Sequence, residues 1–327
     1  MKFFISLLFL SLTLVANEVL IKKAYEANMK PIPKSNKELQ KLIDDPKNPI
    51  TKHKVELGKI LYFDPRLSKS NLISCNTCHN LGIGGTDGLA AAIGDNWQAN
   101  PMHLNSPTVY NSALAYMQFY DGRSPHLADQ AKGPITTSFE MAIAPSELEQ
   151  KIQKIKGYKK LFEKAYGKNT KITFDLIAQT IAIFEKTLIT PSRFDDFMHG
   201  DTKALSQNEQ KGLETFLAKG CANCHRNEAL GGLMRYFDTR GKYTFRTVGG
   251  FEGNDNKLVK VPTLRNISRT APYFHNGMVW NLKEAVFEMA KVQLSISMSD
   301  KEASEIVDFL HSLDGEIKSI NYPMLPK

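Results

Sequence analysis

Every cysteine of the 327-residue chain falls in one of two matching strings, Cys75-Asn76-Thr77-Cys78-His79 and Cys221-Ala222-Asn223-Cys224-His225. The C-x-x-C-H spacing sets two thiols about one helical turn apart, in reach of the two vinyl groups of a haem. The adjacent imidazole can turn back onto the iron. Three other chemistries use paired cysteines. A thioredoxin-like redox pair needs neither the histidine nor a duplicate, and no βαβ pattern surrounds either string. Structural zinc draws its ligands from nearby segments, whereas the two strings are 221 − 75 = 146 residues apart. Two simple disulfides leave both histidines unexplained. Two covalent c-type haems account for all six residues.

Helices are the elements expected to position these strings. Ser206-Gln207-Asn208-Glu209 is a capping box opening a helix whose Leu213, Phe216 and Leu217 share a face, and Gly220 stops it just before Cys221. Leu57, Ile60 and Leu61 give the first string a similar lead-in. Further helices are predicted from Phe174 to Leu188, ended by Thr190-Pro191, and from Asp300 to Leu313, capped by Ser299 with Glu302 and closed by Gly315. Strand-like alternation is scarce, so the expected class is all-α with long loops around the haem edges.

The chain also repeats itself. Ser106-Pro107-Thr108-Val109-Tyr110-Asn111 matches Val261-Pro262-Thr263-Leu264-Arg265-Asn266 at an offset of 155, which also relates Gly122 to Gly277 and Leu127 to Leu282. Two cytochrome c-like domains related by internal duplication are expected: residues 17–189, a linker over 190–205, and residues 206–327. The copies differ in one telling place. Asn281 and Glu284 open a helix that brings Met289 fourteen residues past His275, placed to give a thioether to the iron face opposite His225. The offset puts Pro134 at the matching position of the first copy, and proline binds no metal. A His/Met pair closes an iron and raises its potential, whereas the first iron keeps an open face.

Residues 1–16 read as a secretory signal: Lys2, a mostly apolar run from Phe3 to Val15, and Ala16 at a cleavage point. A soluble, exported, periplasmic protein is expected. Apolar residues make up 42% of the chain, enough for globular cores, and exclude wholesale disorder. The net charge of +8 is spread among interleaved charges and offers no nucleic-acid footprint.

From about Leu57 to Met289 the chain resembles the bacterial di-haem cytochrome c peroxidases. The strings that carry the resemblance are Cys75 to Gly85, Gln118-Phe119-Tyr120-Asp121-Gly122-Arg123, Gln130-Ala131-Lys132-Gly133-Pro134 and Thr270-Ala271-Pro272-Tyr273-Phe274-His275. The resemblance implies reduction of hydrogen peroxide to water with two electrons from a small periplasmic donor, a cytochrome c or a copper protein, by an enzyme that is commonly a homodimer. It implies a low-potential peroxidatic haem on His79 and a high-potential, electron-receiving haem on His225 and Met289. Glu140, in Ser138-Phe139-Glu140-Met141, is similar to the family's distal acid/base residue, and Gln130 to a distal amide that orients peroxide. Asn105, with the carbonyls of Thr270 and Pro272, is similar to a calcium site between the domains.

Two positions depart from the family. A histidine sixteen residues after the first motif closes the resting peroxidatic haem in the family, and here that position is Asp95, a poor haem ligand. His103, beside an apparent two-residue insertion, either replaces it or is a plain loop histidine, so the enzyme is either gated by His103 or active without prior reduction. Tyr120 stands where the family has a tryptophan between the haems. Trp97 and Trp280 are expected to pack near the haem loops. Two other functions fit the overall plan. A related di-haem oxidase acts on a protein-bound precursor, but a tyrosine closes its second haem, against Met289. A non-catalytic electron carrier would have two six-coordinate irons and a dispensable Glu140.

Overall fold

The computed structural model describes residues 17–327; the expected signal segment lies outside the described residues. Six helices carry the frame: α1 (Lys52–Phe63), α2 (Leu127–Thr136), α3 (Phe174–Glu185), α4 (Gln207–Ala218), α5 (Leu282–Met289) and α6 (Asp300–His311). Side-chain caps set five of their starts. Thr51, Thr173, Ser206, Asn281 and Ser299 each accept a first-turn N–H, an interaction worth about 1 kcal/mol per helix. α3 and α6 stop short of the expected Leu188 and Leu313. Their last turns tighten, with Leu188 N–H donating to Glu185 O and Leu313 N–H to Leu310 O.

Two helix crossings make two cores. α1 meets α3 at Gly58, where a Cβ would lie 2.2 Å from Thr180 O, and α4 meets α6 at Gly212, where a Cβ would lie 2.0 Å from Glu305 O. Only glycine lets the backbones approach so closely. Leu57, Leu61, Tyr62, Phe162, Ile177 and Ile181 bury around the first crossing, and Phe194, Phe197, Leu213, Phe216, Phe309 and Leu310 around the second.

The same local shapes recur at the offset of 155. α1 and α4 begin at Lys52 and Gln207, and α2 and α5 at Leu127 and Leu282. Asn111 and Asn266 are left-handed at φ 59° and 60°, Phe119 and Phe274 at 63° and 68°. The bridge between Gln118 and Ser124 is matched by one between Tyr273 and Val279.

The expected domain limits need correction at three places. Leu20, Ala24 and Met29 of the N-terminal arm pack in the second core, not the first. Ile317 and Ile320 of the C-terminal arm pack against the first core, where Arg66 Nη1 donates to Pro326 O at 3.0 Å and Gly157 N–H to Lys327 O at 2.9 Å. The stretch 190–205 is no spacer: Arg193–Met198 is a helix that puts Phe194, Phe197 and Met198 into the second core. Asp195 on that helix receives both ends of the Arg265 guanidinium at 2.9 Å, with the Ile32 and Ser192 amides at 2.7 Å. Burial pushes the Asp195 carboxyl up, and Arg265 with those amides more than offsets it, holding it below its ordinary value. A buried pair is tolerable only when its remaining hydrogen bonds are satisfied in this way.

Two further expectations differ. A short antiparallel ribbon, β1 (Met234–Tyr236) with β2 (Leu258–Lys260), joins the mostly helical frame. Trp97 and Trp280 do not pack but are 64% and 60% exposed; consecutive left-handed residues Asn96 and Trp97 turn the first ring outward. Among the described residues no helix is long and apolar enough to cross a membrane.

Candidate functional site

The first C-x-x-C-H string starts a short helix, Cys75–Cys78, because Ser74 and Thr77 form a capping box at its start. His79 N–H closes the turn onto Cys75 O at 2.9 Å, and Tyr62 Oη donates to His79 O at 2.5 Å. The imidazole is oriented from behind, its Nδ1 lying 2.8 Å from Pro107 O. A carbonyl only accepts, so Nδ1 carries the proton and Nε2 is left as a free lone pair. Thr108 Oγ1 anchors the Pro107 loop to Gly84 O at 2.7 Å.

The second string is built alike. Gly220, left-handed at φ 81°, ends α4 and turns into Cys221–Asn223. His225 N–H donates to Cys221 O at 3.1 Å, its Nδ1 lies 3.2 Å from Leu230 O, and the Pro262 carbonyl also faces the ring. Thr263 Oγ1 anchors that loop to Ala229 O at 2.6 Å. Burial lowers both imidazoles, His225 to about 4, which keeps each ring neutral, the form in which an imidazole can ligate a metal.

This donor set fits covalent haem and not its rivals. All four cysteines are unpaired. Burial raises the Cys75 thiol, Cys78 to about 12 and Cys221 to about 11, opposite to the lowered pKa of a reactive redox dithiol. Among the described residues no three His, Cys, Asp or Glu side chains gather as a metal-ion cluster.

On the first half, α2 and the loop after it carry Gln130 and Glu140. Pro134 gives α2 no N–H at that turn, and the chain doubles back so that Met141 N–H donates to Pro134 O at 2.9 Å and Ile143 N–H to Ile135 O at 3.0 Å. That reversal projects Glu140, whose carboxylate, like the Gln130 amide, has no hydrogen-bond partner among the described residues. Burial raises the Glu140 pKa, and the Arg123 guanidinium pulls it the other way. Arg123 itself lies 3.5 Å over the Phe119 ring and pairs with Asp121 at 2.8 Å.

The loop holding Asp95 is pinned to this one. Asp95 N–H donates to Glu140 O at 2.6 Å, and a Cβ on Gly94 would lie 2.1 Å from Phe139 O. The buried Asp95 carboxylate accepts Ser70 N–H at 3.2 Å and Asn96 Nδ2 at 2.9 Å. It lines an open cleft of about 420 Å³ with Lys69, Ser70, Asn96 and Ser138. His103 lies at the far end of the same loop, left-handed at φ 51°, its Cβ against Gly249 of the second half. Its Nδ1 is shielded from solvent and has no partner among the described residues.

Tyr120 sits where the halves meet. Its carbonyl accepts Lys260 N–H at 2.7 Å, its ring lies 6.0 Å from Phe251, and burial raises its phenol. Asn105 is another contact, its N–H donating to His275 O at 2.8 Å and its Nδ2 to Leu89 O at 2.7 Å. Thr270 and Pro272 lie in the same buried turn as His275, and Thr270 Oγ1 donates to Ile267 O at 3.1 Å. Met289 ends α5, followed by a π-helical turn over Ala290–Leu294. It is half-buried and outside the apolar clusters, whereas Met298 packs on the second core. Met289 is therefore not the core filler that an isolated methionine usually is.

Sequence reasoning missed Tyr62, Arg265 and the orienting carbonyls of Pro107 and Pro262. The repeated Pro-Thr strings were the available signal for the last two.

Residues 52–203 match the family described as Di-haem cytochrome c peroxidase, and residues 209–314 the family described as Cytochrome c. A cytochrome c551 peroxidase of Pseudomonas aeruginosa is 41% identical over 317 residues, covering 92% of this chain and 88% of that protein. A cytochrome c551 peroxidase of Nitrosomonas europaea is 43% identical, covering 83% of each. Among solved structures, a MauG-like protein associated with microbial copper homeostasis superposes with a TM-score of 0.73 at 23% identity, covering 84% of this chain and 94% of that one, a likeness of fold.

Proposed function

The chain belongs to the di-haem cytochrome c peroxidase family, and from that premise we propose a division of labour between two duplicated halves. His79 holds the peroxidatic haem, and His225 with Met289 holds the haem that receives electrons. When bound, the haem irons supply the electron storage and the site for peroxide. The remaining roles belong to the chain. Gln130 orients peroxide by its free amide. Glu140 takes a proton from one peroxide oxygen and returns it to the departing oxygen, so that peroxide, two electrons and two protons become two waters. Tyr120 lies on the path between the halves.

The observation that carries this reading is the asymmetry at offset 155: Met289 in one half, Pro134 in the other, with a desolvated, unpartnered Glu140 only beside Pro134. A raised carboxyl pKa suits an acid/base that must both take and give a proton near neutral pH.

The resting state follows from Asp95. Its carboxylate is engaged by Ser70 and Asn96 and is not a sixth ligand. His103 is the remaining candidate, supported by its orphaned Nδ1; a low-spin first haem that turns high-spin in His103→Ala supports gating, and a high-spin haem from the outset excludes it. A calcium ion between the halves would take Asn105 Oδ1 and the carbonyls of Thr270 and Pro272. No donor reaches these three oxygens among the described residues, and hard oxygen ligands suit calcium. The signal-like start of the sequence supports a periplasmic location and a small cytochrome c or copper protein as donor.

The test is peroxide-dependent oxidation of a reduced small cytochrome c by protein carrying two covalent haems, with and without prior reduction. Turnover in either state is expected, and none in both overturns the reading.

A further inference from the structure

The loops that orient the two proximal imidazoles meet at one buried hydroxyl. Asn111 ends the loop of Pro107, and Asn266 ends the loop of Pro262. Both are buried, and both donate Nδ2–H to Thr190 Oγ1 at 2.8 Å. The amide orientations are fixed independently, since Asn111 Oδ1 accepts Thr190 N–H at 2.9 Å and Asn266 Oδ1 accepts Gly315 N–H at 2.8 Å. Each Nδ2 must then face the hydroxyl, and the two lone pairs of Oγ1 are both engaged.

The surroundings are matched across the two halves. Asn111 N–H donates to Leu188 O at 2.8 Å, and Asn266 N–H to Leu313 O at 3.1 Å. Thr190 follows Leu188 by two residues, as Gly315 follows Leu313. A Cβ on Gly315 would lie 2.3 Å from Thr190 O and 2.7 Å from its Cβ, so a second side chain has no room there. One hydroxyl, supplied by the first half alone, serves both loops.

We propose that Thr190 is a positioning residue for electron passage between the halves, tying the Pro107 loop behind His79 to the Pro262 loop behind His225. The proposal rests on the di-haem reading above. Hydrogen bonds to the rear nitrogen of a ligating imidazole set its orientation and basicity. Thr190 frames the Pro107 O bond to His79 through Asn111, and the Leu230 O bond to His225 at one remove, because Leu264 N–H of the Pro262 loop donates to Leu230 O at 3.3 Å; disturbing it alters both irons although it touches neither imidazole.

The experiment compares wild type, Thr190→Val and Thr190→Ser, each shown to carry two covalent haems. It measures the midpoint potential of each haem and the rate at which electrons pass from the second haem to the first after rapid reduction. Thr190→Val keeps the shape but strands two buried amides. It is expected to slow transfer about tenfold or more and to displace the potentials of both haems, with Thr190→Ser returning both readouts to within about twofold of wild type. A Thr190→Val protein of lowered melting temperature but wild-type potentials and rate overturns the proposal, because that is a structural role alone. If Thr190→Val does not fold, Thr190→Ala, which leaves room for water to take the two amides, is read by the same criteria. Wild type that passes no electrons between its haems overturns the division of labour itself, a separate outcome from a silent Thr190.

Discussion

The first half places Pro134 and Glu140 where the second half, at the offset of 155, has Met289 and Ser295, and Glu185 where the offset of 125 that matches Thr180 with Glu305 at the two glycine crossings puts Leu310. Behind the haem positions the halves agree closely: a capped helix, a glycine crossing, a Pro-Thr loop, a left-handed asparagine. In front they diverge, by a proline that turns the chain back and by a carboxylate without a partner. On the reading proposed above, a shared holder and a differing opposite face are enough to turn one unit toward chemistry and the other toward electron storage.

The largest expected effect lies at Glu140. Glu140→Gln should lower kcat by about 10²–10⁴ with both haems still attached, whereas Ser295→Ala at the matching place should leave turnover unchanged. Because burial raises this pKa, the base is lost, as pH falls, above the range of an exposed glutamate. The acid limb of the pH profile of kcat/KM should sit correspondingly high and vanish in Glu140→Gln.

The next contrast concerns stability. Arg265 fills in the second half the place of Tyr110 in the first, which makes only a neutral bond to Leu81 O at 2.9 Å. Asp195→Ala strands a buried guanidinium and should cost about 3–5 kcal/mol by chemical denaturation, against about 1 kcal/mol for Tyr110→Phe.

A third substitution makes the second half resemble the first. Met289→Ala should admit an added ligand such as cyanide to the second haem and slow donor-driven turnover by about 10–100-fold, while Met298→Ala leaves ligand access unchanged.

The smallest effect is a pH slope. Burial raises Glu185 to about 8, so it is protonated in the fold but ionised in the unfolded chain above about pH 4.3. The stability it contributes is fully present below the unfolded value and is lost as pH rises through about 8. The slope is at most about 1.4 kcal/mol per pH unit, and Glu185→Gln should flatten it in pH-dependent unfolding.

The sequence made the local features legible and the long-range ones opaque. Both haem strings and the caps at Ser206, Asn281 and Ser299 depend on neighbours a few residues apart, where spacing fixes geometry, and the offset of 155 shows in the short strings that it repeats. The crossing arms do neither: Leu20 and Ala24 are apolar at helical spacing and Met29 follows after a turn, but nothing local tells which core they join. Asp195 and Arg265 are 70 residues apart, and each alone reads as a surface charge. The β-ribbon has three residues per strand, too few for an alternation to register. Trp97 was misjudged because two left-handed residues in succession, neither of them glycine, leave no clear mark in the sequence.

The central claim is that the two haems divide open-face chemistry from closed-face storage. It is tested most directly by cyanide titration of the oxidised, di-haem protein, followed by electron paramagnetic resonance, with Met289→Ala as the control and prior half-reduction as a second condition. The account predicts that cyanide reaches the His79 haem alone in wild type, at rest or after half-reduction, and both haems in Met289→Ala. Cyanide on the His225 haem of wild type, or on neither haem in either condition, would contradict it.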